Sequence, residues 1–533
     1  MAYKGKIVEI PVGMDGLRTD DPDSKVSPST LVRALNINLQ NGYVEKDYGS
    51  RRWNSSALPG GVVGGIDWNP DDITQRMIVA CNDGKIYRFT DAYNYSEVST
   101  SATIKTINTS EMVNFVSAGG EESANEKKLF IFSGASPVQV ITADGTTRRN
   151  ISNPAVEWTG TNHPVDGIIH NARMWAIPRS GHYLSVSDAL NHEDFSTTPV
   201  VFNIAPGEGE RISGGFIFRG KLFIYKYPRG LYVLIDDDPD ITNQYFAKIT
   251  DSFGAPTSRA ALAVFNDLLI ANEYGSITSL TATNSTGDVN ASDFFANLRV
   301  QKFVRETLNQ EGRNIRQCIY YQDKKIVMFT YRKKTSTQND VVCYVDFQDP
   351  NRPRILWNDK DQPNCLFLYK DVEGQQRPMY GASDGYVYQM DQTDRWVGAS
   401  SGSPQNAYKG EFWTPHIDFG NGDPISENNK SFDFIGVKYI PTGDYKLYCD
   451  VFCDGLFQRT LSFKMKSYND LDLMQLDSDS TDSESEREDV QPCGMMGRRV
   501  QLRFYNEGLG ENFKIVAVRI YLDPSGQQKF KKG

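Results

Sequence analysis

The chain has 533 residues, of which 39% are hydrophobic and 12% aromatic, so it can bury a substantial core and wholesale disorder is excluded. This length predicts two or three domains, or one very large repetitive domain. A formal net charge of −10 argues against a protein that wraps nucleic acid with a continuous basic surface. The same acidity suits a channel that lets DNA pass without binding it, and it equally suits an abundant protein that must stay soluble.

The cysteines indicate a protein made in a reducing compartment, which we expect to be a host cytoplasm. Seven cysteines are scattered along the chain, and an odd, scattered set argues against a disulfide framework. Cys449 and Cys453 form the one close pair, and a C-x3-C pair without a nearby histidine is weak support for zinc. We therefore expect neither a metal nor a cofactor. Met1–Pro11 lacks the apolar stretch of a secretory signal, and no apolar run is long enough for a membrane helix, so no membrane insertion is expected.

Residues 1–60 are predicted to form an N-terminal arm with the first strands, and residues 61–397 a β-propeller. The propeller is predicted because one unit recurs at roughly 40 to 60 residue spacing: an apolar strand, a polar turn, and a second apolar or aromatic strand. Seven such units occur, at Arg76–Thr90, Lys127–Thr142, Arg173–Val186, Lys221–Leu234, Asp267–Leu280, Lys324–Phe347 and Pro378–Met390. A series of separate sandwich domains would give similar strands, but no Pro-rich or Gly/Ser-rich linker interrupts the region.

One short inserted helix is predicted within Ala291–Gln310, where apolar residues fall on one side and Ser292 or Asp293 can cap the start. The Gly/Ser/Pro-rich residues 398–406 are predicted to be a linker. Residues 407–533 are predicted to form a C-terminal domain like a β-sandwich, with strands at Phe434–Tyr439, Tyr445–Cys453, Arg459–Met465, Arg499–Tyr505 and Val516–Tyr521. The predicted fold class is therefore mainly β.

Two acidic segments are candidate sites. Residues 470–490 are rich in Ser, Asp and Glu and are expected to be a mobile loop, because so polar a run buries too little apolar surface to order itself. The near-alternating oxygens in it leave a weak cation site as the minority alternative. The second segment contains Pro239 and is predicted to be a turn exposed to solvent. The acidic residues of the two segments are Asp477, Asp479, Asp482, Glu484 and Glu486 in the loop, and Asp236, Asp237, Asp238 and Asp240 in the turn.

Catalytic motifs are missing from the sequence. It has no phosphate-binding glycine loop, and His192-Glu193 begins like a zinc protease motif but Ser196 stands where the second histidine is needed. Four histidines between residues 163 and 192 lie on different predicted strands and turns, so we interpret them as strand-end residues. The protein is expected not to be an enzyme.

Segments along the chain resemble, in the same order, tail nozzle and packaged-DNA stabilisation proteins of short-tailed bacteriophages. Near the start the similar segments are Gly13–Leu17, Ala34–Leu39, Asn41–Lys46 and Tyr48–Arg51. Further along they are Asn171–Leu190, Gly209–Gly214, Phe216–Lys226, Gly230–Leu234, Val300–Val304, Phe412–Gly420 and Cys453–Gly455. The resemblance spans most of the chain, and the acidic loop and the spacing between blades depart from the family.

This resemblance implies a structural virion protein of the tail, located at the nozzle or head–tail connector. It implies a homo-oligomeric ring, with about six subunits, that retains the genome and then conducts it during ejection. The implied partners are the portal or adaptor, other tail proteins, and double-stranded DNA that passes without specific binding. The acidic turn and the acidic loop would face the channel, and Arg51 and Arg52 would contact a neighbouring subunit or the adaptor. An ordinary first strand is an equal alternative for these arginines.

Two other functions stay open at this stage. A receptor-binding or glycan-binding propeller at the tail tip would use exposed aromatics such as Trp53, Trp158 and Trp413 to stack on sugars. A propeller glycoside hydrolase would need a converging cluster of carboxylates with perturbed pKa values at the axis.

Overall fold

A computed structural model supplies the structure of the chain. It describes residues 5–22, 25–70, 75–89, 94–100, 112–119, 127–142, 145–196, 200–208, 211–265, 267–272, 275–282, 289–308, 317–350, 352–371, 373–399, 405–419, 429–466 and 486–523. Strands dominate these residues, and α-helix is confined to two short elements. The prediction of a mainly β protein is therefore confirmed.

The first fifty-two residues supply five strands, and two different parts of the molecule use them. The strands are β1 (Lys6–Pro11), β2 (Arg33–Leu35), β3 (Ile37–Asn38), β4 (Val44–Lys46) and β5 (Gly49–Arg52).

Five four-stranded sheets and one five-stranded sheet follow, and each is one blade of a propeller. Blade one consists of β6 (Val62–Trp68), β7 (Arg76–Cys81), β8 (Ile86–Phe89) and β9 (Tyr95–Glu97). Blade two consists of β11 (Asn114–Gly119), β12 (Lys127–Phe132), β13 (Gln139–Ile141) and β14 (Thr147–Asn150), with the short β10 (Ser99–Thr100) on its outer edge. Blade three consists of β15 (Pro164–His170), β16 (Arg173–Pro178), β17 (Tyr183–Val186) and β18 (Val200–Asn203).

The next three blades repeat this arrangement. Blade four consists of β19 (Arg211–Phe218), β20 (Lys221–Tyr227), β21 (Leu231–Ile235) and β22 (Tyr245–Thr250). Blade five consists of β23 (Ala261–Val264), β24 (Asp267–Ala271), β25 (Ile277–Ala282) and β26 (Val289–Asp293), and α1 (Phe294–Asn297) and α2 (Gln301–Thr307) follow it. Blade six consists of β27 (Cys318–Tyr321), β28 (Ile326–Tyr331), β29 (Val341–Asp346) and β30 (Arg354–Asn358).

Blade seven closes the propeller with strands from both ends of the domain. It consists of β31 (Cys365–Lys370), β32 (Gln376–Gly381) and β33 (Val387–Gln392), and its fourth strand is β5. The first strands of successive blades contact one another around the axis, and β31 contacts β6 to complete the ring. The seven predicted strand–turn–strand units coincide with the second and third strands of the seven blades.

The second strands explain why the repeat is visible in the sequence. Strands β7, β12 and β16 are buried at every position but the first, because neighbouring blades cover both faces. They therefore consist of nearly continuous apolar residues. Separate apolar clusters fill the spaces between blades, for instance between blades one and two and between blades three and four.

The remaining strands form a two-sheet β-sandwich together with the N-terminal strands. They are β36 (Gly410–Trp413), β37 (Lys430–Tyr439), β38 (Lys446–Cys453), β39 (Leu456–Lys464), β40 (Arg487–Gly497), β41 (Val500–Asn506) and β42 (Lys514–Asp523). One sheet joins β1, β3, β4, β42, β37 and β40, and the other runs β2-β36-β41-β38-β39. The predicted sandwich-like domain is present, and the propeller is inserted between its first and last strands.

The structure changes two predicted boundaries. Residues 1–60 do not form a separate arm, because blade seven lacks a fourth strand until β5 pairs with β33, and the sandwich sheets take up β1 to β4. Residues 398–406 do more than link, because β34 (Val397–Gly398) pairs with β35 (Gln405–Asn406) and lies parallel to β5. One continuous apolar cluster also runs from blades four to six into the sandwich core.

The predicted helix is present as two short helices instead of one. Asp293 caps α1 by accepting a hydrogen bond from the backbone N–H of Ala296 at 3.0 Å. Arg299, between the helices, has a positive φ of 57°, so the chain turns there and cannot continue a single helix.

Candidate functional site

A cavity of about 340 Å³ opens at the propeller axis and is lined mainly by the first strands of blades one, two, six and seven. Arg259 supplies a positive charge to it and donates hydrogen bonds to Oδ1 of Asn114 at 3.2 Å and to the carbonyl of Phe115 at 3.0 Å. Its guanidinium also lies 3.3 Å from the carboxylate of Asp166, and Asn114 donates to the carbonyl of Val165 at 2.7 Å. These contacts brace the segment before blade five against blades two and three.

The chemistry of this cavity is that of hydrogen bonding. Burial raises the pKa of Cys318 and of Cys365 to about 12, so both thiols stay protonated and are poor nucleophiles near neutral pH. Asp67 accepts hydrogen bonds from the side chain of Gln75 and from the backbone of Lys370. In the described part of the chain, His, Cys, Asp and Glu side chains form no group that could hold a metal ion.

The predicted acidic turn lies at the periphery of blade four, between β21 and β22. Asp236 is mostly buried and accepts hydrogen bonds from His170 Nε2 at 2.9 Å, Asn171 at 2.8 Å and Lys221 at 2.8 Å. Burial raises the pKa of Asp236, but these bonds outweigh it and lower the pKa to about 2. Asp236 therefore holds blade three to blade four.

The other three carboxylates of the turn point to solvent. Asp237 is 83% exposed, and Asp238 and Asp240 are exposed as well. Asp240 accepts from the backbone N–H of Thr242 at 3.0 Å, which lowers its pKa. These residues lie on the outer half of the blade, away from the propeller's own axis, and their orientation in an assembly stays a prediction.

Most of the predicted acidic loop lies outside the described residues, whereas both predicted arginines are described. Asp477, Asp479, Asp482 and Glu484 lie outside the described residues, and Glu486 is exposed just before β40. Arg52 is used within blade seven: its Nε donates to the hydroxyl of Tyr388 at 3.3 Å, and its guanidinium lies 3.9 Å from the ring centre of Tyr386. Arg51 is half-buried in the same strand, and the subunit contact predicted for both stays a prediction.

Of the three tryptophans considered for sugar stacking, Trp158 is buried, and its indole N–H donates to Ser185 Oγ at 3.2 Å. Trp53 is half-buried, and its ring lies edge-on to Tyr369. Trp413 is half-buried on an outer face of the sandwich.

Glu193, the second residue of the apparent zinc protease motif, is the centre of a buried charge cluster between blades two and three. It is fully buried and lies 3.2 Å from Lys128 Nζ, which is 1% exposed. Arg149 donates to both of its oxygens, at 2.5 and 2.9 Å. Burial raises the pKa of Glu193, but Arg149 and Lys128 lower it below its ordinary value. We call Lys128, Arg149 and Glu193 the propeller cluster.

A second buried cluster, the junction cluster, lies where the propeller meets the sandwich and consists of Asp47, Lys360 and Asp361. Lys360 Nζ lies 2.5 Å from Asp361 and 3.3 Å from Asp47, and only 1% of its side chain is exposed. Ser50 Oγ in β5 donates to Asp361 at 2.6 Å, and the hydroxyl of Tyr408 donates to the carbonyl of Asp47. The cluster therefore ties the closing strand of the propeller to the start of the C-terminal strands.

The surroundings of the junction cluster change the pKa values of Asp47 and Lys360. Burial raises the pKa of Asp47 despite the neighbouring Lys360. Burial lowers the pKa of Lys360, but Asp361 and Asp47 raise it above its ordinary value.

Two further buried charges lie beside this cluster. Glu45 lies 3.0 Å from Arg395, and both side chains are almost fully buried. Lys46 has no carboxylate within ion-pair distance among the described residues. Its Nζ donates instead to Asn506 Oδ1 at 3.2 Å and to the carbonyl of Gly508 at 3.1 Å. Burial lowers the pKa of Lys46 to about 8.

Sequence reasoning missed the junction cluster completely. Its members come from two segments that are remote in the chain, and a lone Asp or Lys near a strand end is ordinary in a globular protein. The one local sign was Asp359-Lys360-Asp361, which is indistinguishable from a solvated turn in sequence.

No family model matches the chain, and no curated protein matches it. Several solved structures are similar in part. BBS1N, solved in complex with ARL6DN, shows 10% identity over 66% of this chain and 98% of its own, with a TM-score of 0.41. The RRP9 WD40 repeats show 8% identity over 64% and 97%, with a TM-score of 0.40. PorZ of Porphyromonas gingivalis shows 9% identity over 71% and 44%, with a TM-score of 0.38.

Similarity at this level gives no information about function. The strand pairing of this chain itself defines the propeller and the sandwich. In the described ranges, none of the helices has the length and apolar character needed to cross a bilayer.

Proposed function

We propose that the protein is a structural subunit of a bacteriophage tail that assembles into a ring, retains the packaged genome and then conducts it. The observation that supports this most is the way the two domains are joined. Strands from both ends of the chain build the sandwich, the N-terminal segment also closes the propeller, and buried charges fix the junction. A subunit built in this way is a stiff block, as a ring under internal pressure requires.

The ordered sequence resemblance to tail nozzle and packaged-DNA stabilisation proteins gives the proposal its location, in the tail below the portal or adaptor. The formal charge of −10 supports a conduit that does not hold DNA, because like charges repel phosphates. The work of such a protein is mechanical, so no side chain needs to react.

The first test is the mass of the purified protein by light scattering over a concentration series, with electron microscopy of the most concentrated sample. We expect multiples of 59.9 kDa that approach a closed ring with an open centre. The series is repeated at about 1 M salt to identify association through exposed charges alone, which salt screens. A monomer at every concentration, with or without isolated tail components, would contradict the proposal.

A glycan-binding role is the second candidate, because Trp413 belongs to a row of partly exposed aromatic side chains on the sandwich. The guanidinium groups of Arg33 and Arg503 lie 5.1 and 5.4 Å from the Trp413 ring centre, which leaves little of the ring free to stack on a sugar. Binding of the protein to a panel of immobilised bacterial surface glycans, reduced by Trp413→Ala, would favour this role.

A further inference from the structure

The outer surface of the five-stranded sandwich sheet carries two groups of packed aromatic rings with the guanidinium of Arg503 between them. We call this set the aromatic face: Trp413, Tyr448, Phe452, Phe457 and Tyr505. Tyr448 and Tyr505 stack with ring centres 5.5 Å apart, and Trp413 and Phe452 stack at 5.2 Å. Phe457 lies edge-on to Phe452 at 5.8 Å and is 57% exposed. Apolar surface of this kind is unusual on a sheet face with no covering layer.

The opposite side of the same sheet shows that this exposure is not a feature of the whole sheet. Phe412, Leu447, Val451 and Phe504 point the other way and are fully buried in the sandwich core. Alternation along each strand thus separates a true core face from the aromatic face.

The aromatic face is also positively charged. Its cations are Arg33, Lys409, Lys446, Lys464 and Arg503. The carboxylates among them are Glu411 and Asp450, which Arg503 approaches at 2.7 and 3.3 Å. At the margins, Glu507 is exposed, and Asp489 accepts a hydrogen bond from the backbone N–H of Lys464 at 2.8 Å. Cations therefore exceed carboxylates on this face of a chain whose net charge is −10.

A groove of about 550 Å³ extends the aromatic face towards the propeller, between β2, β36 and the helix α2. Arg33, Glu411 and Trp413 belong to both the groove and the face. A partner would therefore meet a flat aromatic area with a concave border, and this composition of Trp, Tyr, Phe and Arg is that of protein interfaces.

The matching surface is the outer edge of blade four. Its last strand, β22, exposes 59% of Tyr245 and 36% of Ile249, and no other outer blade strand with described side chains exposes large apolar residues in this way. The acidic turn with Asp237, Asp238 and Asp240 lies a few residues before this strand. The strand's own cation, Lys248, is paired with Glu208 at 2.6 Å and Asp251 at 2.7 Å. Blade four thus offers apolar and acidic groups where the aromatic face offers apolar and basic ones.

We propose that the aromatic face of one copy docks on the outer edge of blade four of a second copy. Two different surfaces then meet head to tail, and such a contact closes into a ring when the rotation between copies permits. This inference rests on the proposed function, and it assigns the exposed acidic turn to the contact between subunits.

The test uses two variants of the full-length chain, Phe457→Glu on the aromatic face and Tyr245→Glu on blade four. Each variant has lost one of the two surfaces, so each alone should stay monomeric in light scattering where the wild type forms larger species. Mixed in equal amounts, they should form a dimer that grows no further, because one intact face meets one intact edge. Val156→Glu is the matched control: Val156 is 76% exposed between β14 and β15, and this variant should assemble like the wild type.

A second pair covers the case in which a variant fails to fold, as judged by near-ultraviolet circular dichroism. Lys464→Glu and Asp237→Lys change only exposed charges, and each should weaken assembly by about tenfold at low salt and less at high salt.

The outcomes separate this inference from the proposed function. Wild-type oligomers that persist in all four variants would overturn the docking surfaces and leave the ring standing, whereas a monomeric wild type would overturn both. Dimers formed by Tyr245→Glu alone would show two aromatic faces meeting each other and would overturn the head-to-tail contact. If the wild type is monomeric and binds glycans, and Phe457→Glu abolishes that binding, the aromatic face would be assigned to a sugar instead.

Discussion

The propeller cluster and the junction cluster use the same groups in opposite proportions. The first holds one carboxylate, Glu193, between two cations, and its pKa is lowered. The second holds one cation, Lys360, between two carboxylates, and the pKa of Asp47 is raised. Burial opposes charge in both places, and Glu193 has two cationic partners whereas Asp47 shares one cation with a second carboxylate, which agrees with the opposite directions of the two shifts. The propeller cluster should therefore tolerate mild acid unchanged, while the junction cluster responds to it.

The largest effect should come from Glu193→Gln, which keeps the shape of the side chain and leaves Lys128 buried without its counter-charge. Removing one partner of a buried ion pair costs about 3–5 kcal/mol of unfolding free energy. Guanidinium unfolding followed by tryptophan fluorescence measures it. The matched control is Lys85→Met, from the exposed pair Lys85–Glu97, which should cost far less because solvent screens that pair. Equal losses in the two variants would mean that the cluster adds nothing through burial.

The next largest effect should come from Lys360→Met, at about 2–3 kcal/mol near neutral pH, because a carboxyl group can escape burial of its charge by binding a proton. Without Lys360 the pKa of Asp47 rises further, so the folded state holds a proton that the unfolded state releases. Lowering the pH from 7 to 5 should therefore recover stability in this variant. The measurement is the unfolding free energy at both pH values.

The Glu193→Gln variant is the contrasting case, and its unfolding free energy should not recover between pH 7 and pH 5. A Lys360→Met variant that loses stability on acidification, relative to the wild type, would contradict the charge balance given for the junction.

The smallest effect should come from Lys46→Met, at about 1 kcal/mol, because loss of two hydrogen bonds is offset by relief of an unpaired buried charge. The folded-state pKa of Lys46, about 8, lies below its ordinary value of 10.5, so between these values the unfolded state binds more protons. Stability contributed by this residue should rise as the pH increases from 8 to 10. The difference in unfolding free energy between wild type and variant should therefore shift in favour of the wild type, and a constant difference would contradict the lowered pKa.

Much of the propeller could be predicted because its second strands lie between blades and carry nearly unbroken apolar residues, each followed by a polar turn and a third strand. The closing strand could not, because Gly49-Ser-Arg-Arg has no apolar residue and becomes a strand only through its pairing with β33. Strands β2 to β4 are only two or three residues long, too short for a periodic pattern; β2 pairs with β36, and β4 pairs with β3 and β42. Tertiary pairing, not local preference, determines these strands.

The candidate sites were harder to predict than the fold. Asp236 belongs to a predicted turn, but its role depends on His170 and Lys221 from neighbouring hairpins. The aromatic face alternates with core residues along its strands, so in sequence its members look the same as the residues that point inward. Register between strands separates the two sets, and register is not visible in one strand alone.

Insertion of the propeller into the sandwich also constrains the order of events on the ribosome. β5 is synthesised before any blade, yet Arg52 and its partner Tyr388 are 336 positions apart, and Glu9 and Arg519 are 510 positions apart. Contacts so distant form last, since the loop between them must first be made and ordered. The propeller cannot close until β33 has been synthesised, and the sandwich cannot close until β42 has been synthesised. Until then, the nascent chain carries open sheet edges that chaperones must shield from other chains.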